Sequence, residues 1–211
     1  MTHIAIDGPV ASGKGTIARE LSKRLGIPCL DTGALYRGLA VWSLGRSPEE
    51  ITNVSIDTAG MTAKIVDGIT RVYLSGKDIT PRLRDNEISK GASTAATNPK
   101  MREICTKLAQ DIAATQDLIM EGRDICNVVL PNAKYKFLLT ADVKVRAGRR
   151  HADLIAAGKQ MPFKEVLKQT KARDKSDRKK GGFKKITNAV IVDATKRSID
   201  EVVVYMLSFI K

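Results

Sequence analysis

At 211 residues and 43% hydrophobic content, the chain can bury one substantial core with room for a small insertion. Thirty-six Lys and Arg against 23 Asp and Glu give a formal charge of +13, which draws polyanions of some kind. No apolar run reaches the roughly 18 residues of a membrane span, and Cys29, Cys105 and Cys126 lack any C-x-x-C spacing, which excludes a disulfide framework and leads us to expect a reduced, cytoplasmic protein.

The first element is a short apolar strand, His3-Ile4-Ala5-Ile6-Asp7, and no leader peptide is expected before it. Gly8-Pro9-Val10-Ala11-Ser12-Gly13-Lys14-Gly15-Thr16 follows, and then an amphipathic helix with Ile17, Leu21 and Leu25 on one face and Gly26 at its end. This order of strand, glycine-rich turn and helix is that of a phosphate-binding loop. The glycines let backbone N–H groups turn inward around an anion, the helix start aims its dipole at the same point, and Lys14 adds a mobile charge. Gly15 stands where a Ser or Thr more often follows the lysine, and Thr16 comes one place later.

Further apolar runs at residues 27–30, 118–120, 135–139 and 189–192 alternate with helical segments, so five strands are expected in one parallel α/β sheet. Asp31-Thr32-Gly33-Ala34-Leu35-Tyr36-Arg37 reads as a helix start. Between Met61 and Asp78 the period changes: residues 63–66 and 69–74 flank Asp67-Gly68, a favoured hairpin turn, which predicts a small antiparallel insertion. A helical stretch over about 85–114 and a charged helical stretch over 148–182 follow, the second reading as a flap. The last helix is predicted over 198–209.

Asp7 and Glu121 fall at the carboxyl ends of two predicted strands, where open α/β sheets bind ligands, and either could reach Mg²⁺ directly or through water. Glu121 reads equally well as a helix-start or ion-pair carboxylate. Arg37, Arg102, Arg123 and Arg173 stand beside Gly, Pro, Asp or Tyr and are expected in turns rather than within helices, where planar guanidinium forks can grip phosphate. The two histidines, His3 and His151, have no evident role as bases.

The ending Gly13-Lys14-Gly15-Thr16 is similar to that of nucleoside monophosphate kinases. Over nearly the whole chain the motifs resemble those of bacterial cytidylate kinases: Ile6-Asp7-Gly8-Pro9, then residues 31–37, 74–80, Leu83-Arg84, Glu87-Ile88, Ser93, Pro99-Lys100-Met101-Arg102, Glu121-Gly122-Arg123-Asp124, and Arg173-Asp174 with Asp177.

The resemblance implies a P-loop NTPase-like three-layer sandwich around a five-stranded parallel sheet, as one domain over 1–211. A nucleoside-monophosphate-binding insertion is expected at 56–100 and a short helical lid at 148–182. It implies transfer of the γ-phosphoryl group of ATP to CMP or dCMP with Mg²⁺. Residues 8–16 and Arg149 would bind ATP. Lys14, Arg123, Arg146, Arg150 and Arg173 would serve the transferring group. Thr32, Arg37 and Arg123 would face the acceptor phosphate; Ser93, Arg102 and Asp124 would read cytosine; Arg173 and Asp177 would contact the sugar, with Tyr36 and Lys180 also in the acceptor site. At Lys180 the family usually has arginine, so the charge stays and the fork is lost.

Small-molecule substrates are therefore expected, with no membrane, no nucleic-acid partner and a monomeric state. Within the enzyme class the alternative is another small P-loop kinase with a different acceptor, and two other classes stay in view. A GTP switch lacks its guanine-reading N-K-x-D pattern. A basic nucleic-acid-binding protein would explain the charge, although residues 171–185 hold a single aromatic residue for base stacking.

Overall fold

A computed structural model describes the chain over residues 1–179, 186 and 188–211. Lys180 lies outside the described residues.

The main sheet has five strands: β1 (His3–Asp7), β2 (Cys29–Asp31), β6 (Leu118–Gly122), β7 (Tyr135–Thr140) and β8 (Val190–Asp193), in the order β2-β6-β1-β7-β8. β1 pairs in parallel with β7, Ile4 opposite Tyr135, and β7 pairs in parallel with β8, Phe137 opposite Val190. Strands buried on both faces need continuous apolar runs, and Ile4, Ala5, Ile6, Leu118, Ile119 and Met120 are all fully buried. A second sheet is antiparallel, β3 (Met61–Val66), β4 (Ile69–Leu74) and β5 (Lys77–Asp78). The turn between β3 and β4 has Asp67 at φ 51° and Gly68 at φ 70°, the double positive φ of a type I′ turn, as the Asp-Gly pair predicts.

Two compact units form. One comprises residues 3–26 and 121–211. It carries α1 (Lys14–Leu25), α7 (Val143–Ala156), α8 (Phe163–Lys179) and α9 (Ile199–Leu207). α1 packs against α9, with Arg24 paired to Asp200, and α7 packs on α8 around Ala147, Leu154 and Val166. Gly26, at φ 67°, ends α1 as its position predicts.

The other unit comprises residues 1–2 and 27–120. It holds α2 (Thr32–Trp42), short helices α3 (Pro48–Thr52) and α4 (Ile56–Ala59), then α5 (Asn86–Ala95) and α6 (Pro99–Ala113). The hairpin and α5 clasp α2 at glycines. A Cβ on Gly38 would stand 2.7 Å from Val72 Cγ1, and one on Gly91 would stand 3.1 Å from Ala40 Cβ. The helical stretch over 85–114 is broken at Asn98, whose side chain caps α6 by accepting from Lys100 and Met101 N–H before Pro99 fixes the first turn. Residues 47–50 and 55–58 form capping boxes at α3 and α4, two helices too short to show a hydrophobic period.

Candidate active site

In the unit built on β1, the chain must reverse between Asp7 and Lys14. Gly8 is required by space, since a Cβ there would lie 2.2 Å from the carbonyl oxygen of Leu139 in β7. Ala11 at φ 56° and Gly13 at φ 99° supply the left-handed steps. The N–H groups of Thr16 and Ile17 return to Gly13 O at 3.1 and 3.0 Å. α1 has no side-chain cap and no acid in its first turn, so its own residues leave the positive end of its dipole uncompensated. Lys14 is buried and donates to Pro9 O at 3.0 Å, which lays its ammonium across the loop. Ser12 Oγ is buried with no hydrogen-bond partner. Together these groups fit a phosphate chain, which would satisfy the stranded hydroxyl and the helix dipole at once.

The two carboxylates proposed for metal behave differently. Asp7 is buried, and its oxygens accept from the N–H groups of Ile125 at 2.9 Å and Cys126 at 3.0 Å, pinning the short helical turn at Ile125–Val129. Burial raises its pKa more than those two hydrogen bonds lower it. Glu121 instead reaches beside the loop: its Oε1 lies 3.2 Å from where a Cβ on Gly15 would stand. Glycine at that position thus leaves space for a carboxylate at the start of α1. Among the described residues no group of three or more His, Cys, Asp or Glu is placed to hold a metal ion by itself.

The three arginines of α7 divide by what they already hold. Arg146 is buried and spends four of its five N–H donors: Nε donates to Ala141 O at 2.9 Å, Nη1 to Val10 O at 3.1 Å, and the fork grips Asp174 at 3.1 and 2.6 Å. Arg149 ties Ser12 O at 3.1 Å to Ala194 O at 2.7 Å. Arg150 is exposed, with no hydrogen bond or ion pair among the described residues. On α8, Asp177 is buried between two cations, accepting from Arg123 Nε at 2.9 Å and Arg173 Nε at 3.1 Å. Asp124 lies in the same unit and opens the turn at Ile125–Val129.

In the second unit, Thr32 is buried at the start of α2, and Asp31 N–H donates to Thr70 Oγ1 at 2.9 Å in β4. Asp31 takes the capping position without capping, because its side chain turns to Arg37 Nη2 at 2.6 Å. Gly33 makes that pairing possible, since its missing Cβ would lie 2.9 Å from Asp31 Oδ1 and 3.0 Å from Arg37 Nη1. Arg37 Nε is buried with no acceptor. Tyr36, on α2, and Ser93 and Arg102, on α5 and α6, are each half-buried.

The expectation that four arginines sit in turns is corrected here. Arg37, Arg102 and Arg173 lie within α2, α6 and α8, and Arg123 alone follows a strand. Gly33 and Pro99 are early helical residues rather than turn formers, so the neighbours that suggested loops belong to helix starts. Sequence reasoning assigned no role to the pairing of Asp174 with Arg146 or of Asp31 with Arg37. The first spans 28 residues, beyond any helical or strand period.

A sequence profile of the cytidylate kinase family matches residues 4–211. The chain belongs to the cytidylate kinase family. A cytidylate kinase of Fervidobacterium nodosum is 37% identical, covering 99% of this chain and 95% of that protein. One from Aquifex aeolicus is 39% identical, covering 98% and 95%. Membership makes the chain a kinase, a phosphotransferase. Among solved structures, shikimate kinase from Bacteroides thetaiotaomicron superposes with a TM-score of 0.53 at 14% identity, covering 99% of this chain and 97% of that one, which supports the shared α/β kinase fold alone.

Proposed function

We propose that the chain moves the γ-phosphoryl group of ATP onto CMP or dCMP, giving ADP and CDP or dCDP. The observation that carries this reading, beside family membership, is the anion cradle over residues 8–16: an uncapped helix start, a buried lysine and a stranded buried hydroxyl converge there. Lys14 and the loop amides hold the donor's outer phosphates. Arg149 fixes the loop through Ser12 O, and Arg146 fixes its other side through Val10 O. Arg150 is the arginine of α7 left to swing toward the transferring group. Mg²⁺ would neutralise the phosphate oxygens, with Glu121 the better candidate carboxylate because both oxygens of Asp7 serve the Ile125 turn.

On the acceptor, Thr32, Arg37 and Arg123 take the phosphate, and Tyr36 belongs to the same nucleotide site. Arg37 Nε, buried without an acceptor, supports that assignment. Ser93, Arg102 and Asp124 read cytosine, whose N4 amino group donates and whose N3 accepts. Uracil reverses both groups and would cost on the order of 1–3 kcal/mol for each buried mismatch. Arg173 and Asp177 take the sugar, the Asp177 carboxylate having acceptor capacity beyond its two arginine bonds. Lys180 completes the acceptor site with a point charge. The acceptor phosphate is already anionic at neutral pH, so no general base is required. The enzyme works as a cytoplasmic monomer on these two nucleotides.

Measuring ADP release with CMP, dCMP, UMP, AMP and GMP tests the reading. CMP or dCMP should exceed the others in kcat/KM, and Lys14→Ala should remove the activity. Equal or better use of another acceptor would assign a different substrate to the same cradle.

A further inference from the structure

α8 has two electrostatic faces. Its inner face carries Asp174 and Asp177, both spent on arginines. On its outer face Lys164, Lys168, Lys171, Lys175 and Arg178 are all exposed and spaced by four, three, four and three residues. At 3.6 residues per turn that spacing confines five cations to an arc of about 80° and a line about 21 Å long. None of the five takes part in an ion pair or hydrogen bond among the described residues. The acids that flank the stripe are both engaged: Glu165 accepts from Gln169 Nε2 at 3.1 Å, and Asp174 is paired with Arg146. A solvated helix surface ordinarily mixes signs through i, i+4 pairs; this one concentrates a single sign.

We propose that this stripe is a docking face for the phosphate backbone of nucleic acid, bound without regard to sequence. A straight row of point charges matches a regularly charged backbone, and a duplex with one phosphate per 3.4 Å on each strand offers about six along the row. No aromatic residue lies in the stripe, so affinity rests on phosphate neutralisation rather than base stacking. A membrane surface is a poorer fit, because an interfacial helix needs an apolar face to insert and this face has no large apolar residue. The face is distinct from the phosphate loop and uses none of the residues assigned to the two nucleotides. Phosphoryl transfer and this binding therefore stand or fall separately.

The test is fluorescence anisotropy with a labelled DNA duplex of about 20 base pairs and a single-stranded RNA of similar length, from about 50 to 200 mM salt, with excess ATP present. Five phosphate contacts predict a slope of log K against log salt near −4.5 for the duplex, and near −3.5 for the single strand. The triple variant Lys164→Gln, Lys168→Gln, Lys171→Gln should lower the duplex slope to about −2 with an unchanged thermal midpoint. The single strand should show no advantage over the duplex. The inference is overturned by an absence of binding at low salt, by a triple variant with the wild-type slope, by displacement of the duplex by ATP, or by capture of phosphatidylglycerol vesicles in place of nucleic acid.

Discussion

The two compact units meet the same problem, holding guanidinium groups ready for phosphate, in opposite ways. In the unit carrying the phosphate loop, Arg146, Arg149, Arg123 and Arg173 are already bonded to main-chain oxygens or carboxylates. In the unit carrying the hairpin, Arg37 is held by one fork nitrogen on Asp31, and its Nε is buried without an acceptor. The first arrangement is preorganised by the protein; the second keeps a donor with no protein acceptor. A catalytic site gains from the first kind where charge develops, and a binding site gains from the second where recognition must be selective.

Glycines break the comparison most sharply. Gly8 faces a main-chain carbonyl that cannot move without β7, whereas Gly33 faces the ends of two flexible side chains. Gly8→Ala should cost about 3 kcal/mol or more and show reduced stability in urea. Gly33→Ala should fold nearly normally and appear as a raised KM for CMP. The reverse ranking would mean that the loop can yield and α2 cannot.

Asp174 probes the preorganised side. Its pair with Arg146 is nearly dry, with side-chain exposures of 14% and 6%, so Asp174→Asn should cost about 3 kcal/mol by leaving a buried cation under-compensated. It should also raise KM for ATP, since Arg146 steadies Val10 O, while KM for CMP changes little. Asp174→Glu should recover part of both losses.

The smallest effect concerns pH. Asp7 has a folded pKa above its unfolded value of about 3.9 because burial outweighs its hydrogen bonds, so the folded state binds that proton more tightly. Its favourable contribution is full below the unfolded value and is lost as pH rises through the raised one. Urea midpoints of wild type measured against Asp7→Asn should therefore fall relative to the variant from pH 4 upward across that window. A gap that widens in favour of wild type instead would mean that the two amide bonds dominate.

Much of this molecule was legible in its sequence where the cause is local. The phosphate loop follows from glycine spacing between an apolar strand and a periodic helix, and the hairpin follows from Asp67-Gly68. The arginine network was not legible, because its partners are remote: Arg123 and Asp177 are 54 residues apart, and Arg146 and Asp174 are 28 apart. A residue type signals what it can bind; only the tertiary fold decides whether it is already bound. Asp7 illustrates this, since a carboxylate at a strand end suggests metal, yet both its oxygens are consumed by backbone N–H groups.

The contrast between a unit whose arginines are already bonded and one that keeps an unsatisfied cation is tested most directly by steady-state kinetics of Arg37→Ala. The account predicts KM for CMP raised at least about tenfold, the 1.4 kcal/mol or more of a charge-assisted bond, with KM for ATP unchanged. An unchanged KM for CMP, or a KM for ATP that rises in parallel, would contradict it.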